Sequence, residues 1–315
     1  MKRGQLYDEL APNERKTKTG RLGSCRAVDK NCIAVDAGNS VLRRDRLALL
    51  ERVRVVAGNR ISKRKGESMI YKENPKTQGS GILCAIPHKG ECPVRCEDCF
   101  FQSGRSYLEP LKDNLPNMPD VLQAANRVIR VNDGNDSNVN PVGVIADTRE
   151  YPMKFYNTSI PKDIDNFDAP VVLTVNPGKW TDTDWHSLAV QNMRNLMFVR
   201  ARANTWNVTL LDIIIKYYSG HEIPIVLTFM AYHNGHSIPG GHTQYYVERK
   251  RTKNTYWAIT SAAWDMVMSR YKYNHWVYSC GKVEGELGTT KCSRCGNCVR
   301  EYFVASEKMR APQDE

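Results

Sequence analysis

The run Gly81-Ile-Leu-Cys-Ala-Ile86 and, a few residues on, Glu91-Cys-Pro-Val-Arg-Cys-Glu-Asp-Cys-Phe100 decide how the rest of the chain is read. The first is a short apolar stretch of strand length. The second carries Cys92, Cys96 and Cys99 at C-x3-C-x2-C spacing. Three closely spaced thiolates are one short of a closed tetrahedral site. Two chemistries fit: a 4Fe-4S cluster with one iron left open, or a structural zinc ion with Cys84 or His88 as fourth ligand. Zinc sites usually come as two C-x2-C pairs. This run is a triplet, which favours iron–sulfur.

Outward from the cysteines, short apolar runs alternate with polar or helical stretches. Strands are expected at 127–132, 153–157, 169–175, 196–201 and 225–230, after the one at 81–86. A helix is expected over 207–218, between the last two. Continuous apolar strands separated by helical segments predict a parallel sheet covered by helices, an α/β fold. Upstream, Val41 to Ala57 places apolar residues at helical spacing, ending at Gly58-Asn59.

The 315 residues carry a net charge of +11. Residues 1–75 hold 18 basic and 9 acidic side chains, so most of the excess lies ahead of the triplet, densest at Arg60-Ile-Ser-Lys-Arg-Lys65. Such a region attracts polyanions, and it also fits a solvated helix face with a tail. The longest nearly apolar run, Ile223 to Tyr232, falls short of the roughly 18 residues that a membrane span needs. No apolar signal segment opens the chain, so a cytoplasmic protein without membrane association is expected. Seven of the ten cysteines fall in two tight clusters, a pattern of metal ligation in a reducing compartment. Cys25, Cys32 and Cys84 default to buried small hydrophobes.

The triplet after a first strand, with five more strands behind it, resembles the radical S-adenosylmethionine (SAM) enzymes over about residues 78–235. The resemblance implies a partial (β/α)6 TIM-type barrel as the core. A basic extension would precede it (1–77) and a Cys-rich region follow it (236–315). It also implies a 4Fe-4S cluster on Cys92, Cys96 and Cys99 that binds SAM, and an external electron donor such as flavodoxin or ferredoxin. Ligands of parallel α/β folds sit at the carboxyl ends of strands. The acidic turn after the second strand therefore supplies Asp133, Gly134, Asn135 and Asp136 as candidates for the SAM ammonium. The family's usual Gly-Gly-Glu is absent there. Asn176 follows the fourth strand. Arg200 and Arg202 lie on or after the fifth; if the stretch is a strand they share one face, where a guanidinium suits the SAM carboxylate. The family's aromatic before the third cysteine is replaced by Asp98. Phe100 and Phe101 stand just after the triplet, and Phe101 is taken as the adenine contact. Tyr232 and His233, ending the sixth strand, are candidates for a proton or hydrogen-atom relay. His236 and His242 lie in a Gly-rich loop that suits a lid.

Cys280, Cys292, Cys295 and Cys298 form a second cluster. Four thiolates can close a site completely, as a second 4Fe-4S cluster or as zinc. Two functions from different classes follow. One is a radical SAM enzyme acting on an anionic substrate such as a nucleotide or a nucleic-acid base of phage or bacterial origin. The other is a non-catalytic, zinc-containing nucleic-acid-binding protein.

Overall fold

A computed structural model of the chain describes residues 70–96, 106–109, 111–176, 193–250, 255–281 and 291–311. The helix expected at 41–57, the basic stretch 60–65, Cys25, Cys32, Asp98, Cys99, Phe100 and Phe101 lie outside these residues.

Six strands run in chain order through the main sheet: β1 (Ile82–Ala85), β2 (Val128–Val131), β3 (Lys154–Thr158), β4 (Val171–Val175), β5 (Leu196–Ala203) and β6 (Ile225–Phe229). A small antiparallel sheet follows. It is made of β7 (Ala231–Tyr232), β8 (Tyr246–Lys250) and β9 (Thr255–Ile259), in the order β7-β9-β8. The chain then returns with β10 (Val277–Ser279), which pairs parallel with β6. The main sheet is thus seven parallel strands in the order β1-β2-β3-β4-β5-β6-β10. It is open: among the described residues no pairing joins β10 to β1. The expected strands match β1 to β6 to within a residue or two at each end. The seventh strand and the small sheet were not expected.

Each strand lies beside its predecessor, so every crossover carries the chain forward in one direction. Right-handed crossovers then leave their helices on one face. That face packs on α1 (Val121–Ala124), α2 (Pro141–Asp147), α3 (Val208–Gly220) and α4 (Ser261–Ser269) through Ala124, Val144, Leu211 and Val267. In α3 the buried residues are Leu211, Ile214, Ile215 and Tyr218, the one-stripe spacing of an amphipathic helix. After the short α5 (Cys292–Cys295), helix α6 (Asn297–Arg310) covers part of the opposite face. Tyr302 and Ala305 pack there against Ile82, Val128, Phe155, Val172, Phe198 and Val226.

Side chains alternate across a strand, so residues two apart share a face. On the α6 side this gives one pattern in all seven strands. An apolar residue near the amino end is followed two residues later by a polar one or a cysteine: Ile82 by Cys84, Val128 by Arg130, Phe155 by Asn157. The rest are Val172 by Thr174, Phe198 by Arg200, Val226 by Thr228, and Tyr278 by Cys280 just past its strand. The lower half of this face is a hydrophobic seat for α6. The upper half, toward the carboxyl ends, is polar. A helix-facing side that is mostly apolar and an α6 side that is half polar mark where a ligand belongs.

Candidate functional site

Arg130 lies in the polar half, on β2, next to the edge strand β1. It sits inside the apolar strand Val-Ile-Arg-Val and is 8% exposed. Its Nη2 is 2.8 Å from Asp133 Oδ2 and donates to Cys84 Sγ at 3.3 Å. Burial pushes the Cys84 thiol well above its ordinary pKa, against the pull of Arg130, so it stays protonated. The Arg130 Nε is fully buried and has no partner among the described residues. Across the sheet, Arg200 donates from Nη1 to Asn157 Oδ1 at 3.1 Å. Arg202, on the same face, donates to Met230 Sδ at 3.2 Å.

The acidic turn after β2 is held from several sides. Asn132 takes a φ of +59° and Gly134 one of +148°, a conformation that only glycine adopts at ease. Asp133 accepts from Asn74 Nδ2 at 2.6 Å and from Tyr107 OH at 3.5 Å, besides pairing with Arg130. Asp136, 4% exposed, accepts from Thr158 Oγ1 at 2.7 Å and from the amide of Asn138 at 2.9 Å. Its other oxygen accepts from the Ser159 amide at 2.6 Å and the Ser159 hydroxyl at 2.8 Å. Asn135 Oδ1 accepts from the Asp136 amide at 3.0 Å. Both carboxylates of the turn are therefore engaged by protein groups, and Asp136 fastens the turn to the end of β3. Asp136→Ala strands several of these donors and is expected to cost about 3 kcal/mol. A chemical-denaturation midpoint measures the loss, and Asp136→Asn should recover part of it.

The loop after β1 comes to the same end of the sheet. Cys96 Sγ is 3.5 Å from Ser159 Oγ, and His88 Nδ1 is 3.2 Å from Asn132 Oδ1. The turn after β2, the end of β3 and the cysteine loop are thus one connected cluster. Cys92 and Cys96 are half-buried thiols, neither in a disulfide. Cys99, the third of the set, lies outside the described residues.

The C-terminal cysteines lie close to the polar half of the sheet face, with the arginines. Cys280 follows β10. Cys292 and Cys295 open and close α5, and Cys298 lies in the first turn of α6. Gly296, at a φ of +67°, turns α5 into α6. Two bonds fix this segment: the Cys292 amide donates to Lys76 O at 2.9 Å, and Asn297 Nδ2 donates to Ser279 O at 3.0 Å. The Cys280 thiol is pushed down by a hydrogen bond from Cys295, then by Arg200, Lys76 and Arg130. Cys295 moves up in turn, because Cys280 is the member of the pair that ionises. Burial raises Cys292 and Cys298, opposed by Arg130 at both and by Arg200 at Cys298. Neighbouring as they are, no three His, Cys, Asp or Glu side chains among the described residues are gathered in metal-binding geometry. A metal here requires further convergence of the thiols. The donor set itself suits zinc or an iron–sulfur cluster.

The remaining sequence candidates are placed as follows. Asn176 sits just past β4, half-buried. Tyr232 is 5% exposed and belongs to the core of the small sheet, with ring centroids 5.4 Å from Trp206 and 5.8 Å from Tyr246. It accepts from Asn204 Nδ2 at 3.3 Å, the arrangement of a packed tyrosine. His233 is exposed. His242 is 2.9 Å from Thr205 Oγ1 and edge-on to Trp206, so that part of the Gly-rich loop is pinned to the end of β5. Sequence reasoning missed Arg130, Asn157, Asn74 and Lys76. Arg130 alone carried a signal, a charge inside a strand otherwise read as buried.

In comparisons with known proteins, no family model matches the chain, and no curated protein or solved structure matches it either. Among the described residues no helix is long and apolar enough to cross a membrane.

Proposed function

We propose that the chain is a radical SAM enzyme. The observation that carries this reading is positional. The loop with Cys92 and Cys96 follows the first strand of a parallel sheet laid down in strict chain order. It meets the acidic turn after the second strand at the carboxyl end of the sheet. On this reading the open sheet is a partial barrel. Cys92, Cys96 and Cys99 hold a 4Fe-4S cluster, and SAM is bound between that loop and the turn at 133–136. The cluster with SAM supplies one-electron cleavage to a 5′-deoxyadenosyl radical.

The fit of the residues rests on half-buried thiols, outside any disulfide, in the loop that follows the first strand. Asp133 and Asp136 shape the turn through their protein partners, leaving the Gly134 and Asn135 backbone to face a ligand. Arg200 and Arg202 share the polar face, with Asn176 at its rim, and hold an anionic group there. The basic excess of the N-terminal quarter favours a nucleotide or nucleic-acid substrate. Electrons come from a donor such as flavodoxin or ferredoxin in the cytoplasm.

Anaerobic purification tests the reading. The protein should be brown, contain iron and sulfide, and form 5′-deoxyadenosine from SAM under dithionite. Colourless protein with about two zinc ions and no iron overturns it in favour of a zinc-containing nucleic-acid binder.

A further inference from the structure

We propose that the hairpin of β8 and β9 grips a single-stranded nucleic acid, DNA or RNA, with Arg249 and Lys250 on its phosphates and Tyr256 against a base. This names the anionic substrate of the reading above. It rests on that reading only for the site to which the strand is brought.

The small sheet has two unlike faces. Residues directly opposite in an antiparallel pair share a face, and neighbours along a strand alternate. Tyr246 pairs with Ile259 and Tyr232 with Trp257, and all four belong to the apolar cluster around Trp206. That inner face is packed. Ala231, Val247, Ala258, Arg249 and Tyr256 lie on the other face. None of these five is buried, and Val247 is 42% exposed. Beyond Tyr246 every residue of β8 is exposed, and β8 is an edge of its sheet. Among the described residues, the hairpin thus presents one face and one edge to solvent.

Charge points to the partner. Residues 246–259 contain four basic side chains (Arg249, Lys250, Arg251, Lys253) and one acidic one (Glu248), a net charge of +3. Edge strands carry charge to discourage pairing with another chain, but a single lysine serves that purpose. Neither Arg249 nor Lys250 has an ion-pair partner among the described residues, whereas Arg127, Lys154, Arg270 and Arg300 each have one. Arg249 lies directly across from Tyr256. Cations beside an aromatic ring match an unpaired strand: phosphates go to the cations and a base stacks on the ring.

Position supplies the second argument. Only Met230 separates β6 from β7, so the small sheet is rooted at the carboxyl end of the main one. Arg202 donates to Met230 Sδ, Asn204 to Tyr232 OH, and Thr205 Oγ1 meets His242, which ties the small sheet to the end of β5. A strand on the hairpin is thereby held beside the end of the sheet where ligands of such folds sit. A base must leave a duplex before an enzyme can reach its atoms, so an unpaired strand is the form such a site takes.

The test is fluorescence anisotropy of the full-length protein with labelled single strands of DNA and of RNA, about 20 nucleotides long, titrated over a range of salt. Binding of at least one is expected. Arg249→Ala with Lys250→Ala should bind about tenfold more weakly near about 0.1 M salt. The slope of log affinity against log salt should fall by about 1.4, which is about 0.7 for each of two phosphates. Tyr256→Leu should weaken binding about fivefold or more at an unchanged slope, and Tyr256→Phe should bind as wild type does. Both basic side chains are exposed, so the double variant should keep the wild-type denaturation midpoint. The basic N-terminal region is present in every protein compared, so its contribution cancels. Removing the same charge at Lys308 and Arg310, exposed near the end of α6, should leave affinity and slope unchanged. No binding of either strand by wild type, an unchanged slope in the double variant, or an equal drop in the α6 control overturns the proposal. Full affinity in Tyr256→Leu overturns the stacking, and with it the choice of an unpaired strand. A dimer that the double variant dissolves while oligonucleotide binding persists assigns the face to a second copy instead. None of these readouts uses a cluster or SAM, so failure here and failure of the radical SAM reading are separable.

Discussion

Cys96→Ala should reduce 5′-deoxyadenosine formation from SAM to background. The wild-type protein and the variant would be compared anaerobically with dithionite. Loss of even an outer partner of a metal ligand costs about 10–100-fold, so loss of the ligand itself should exceed about 100-fold. Cys96 is the sharpest choice in the triplet because its place is tied to the rest of the site. Its sulfur is 3.5 Å from the Ser159 hydroxyl, which in turn donates to Asp136. Ser159→Ala serves as the companion. It removes a neighbour of the sulfur without removing a ligand, so cluster iron should remain. The thiol is half-buried and its contact with Ser159 is weak, so Cys96→Ala should leave the stability within about 0.5 kcal/mol of wild type. Iron analysis refines the outcome. If the C-terminal quartet also binds a cluster, roughly half the iron survives; if it binds zinc, none does. Wild-type SAM cleavage by the variant would sink the assignment of the triplet.

The strands of the main sheet could be read from sequence for a physical reason. Parallel strands covered on both faces are apolar on both, so each appears as an unbroken run. Ala169 to Val175 and Ile225 to Met230 are such runs. The seventh strand hid because it is three residues, Val277-Tyr278-Ser279, flanked by Trp276 and Cys280. Its pairing with β6 is set by long-range packing, not by local pattern. The same holds for α6. Its cysteine spacing was legible, but nothing local says that Tyr302 and Ala305 seat the helix on the α6-side face, or that this carries the quartet close to Arg130 and Arg200. The acidic turn was legible in position and not in partners. Asp133 and Asp136 read as candidates for a ligand's ammonium, and the structure shows their protein partners: Arg130, Asn74, Thr158 and Ser159. Tyr232 read as a site residue because it ends a strand; a neighbouring sheet, absent from the sequence reading, buries it.

Asp133→Ala should be the most destabilising single change in the described site, costing about 3–5 kcal/mol in metal-free protein. The side chains of the pair are 10% and 14% exposed, and the contact is 2.8 Å. Removing the carboxylate leaves a buried guanidinium facing a protonated thiol. It also strips the buried Asn74 amide of its 2.6 Å acceptor. Breaking one side of a buried pair is worse than never having had it, because the surviving charge has been desolvated without compensation. Asp133→Asn keeps an acceptor but no charge, so it should fall between the two. The exposed pair Arg127–Glu73, at 3.7 Å, supplies the contrast: Glu73→Ala should cost under about 1 kcal/mol. Urea midpoints measure all three. A variant that unfolds at the wild-type midpoint without metal would show that the Arg130–Asp133 pair does not carry the site.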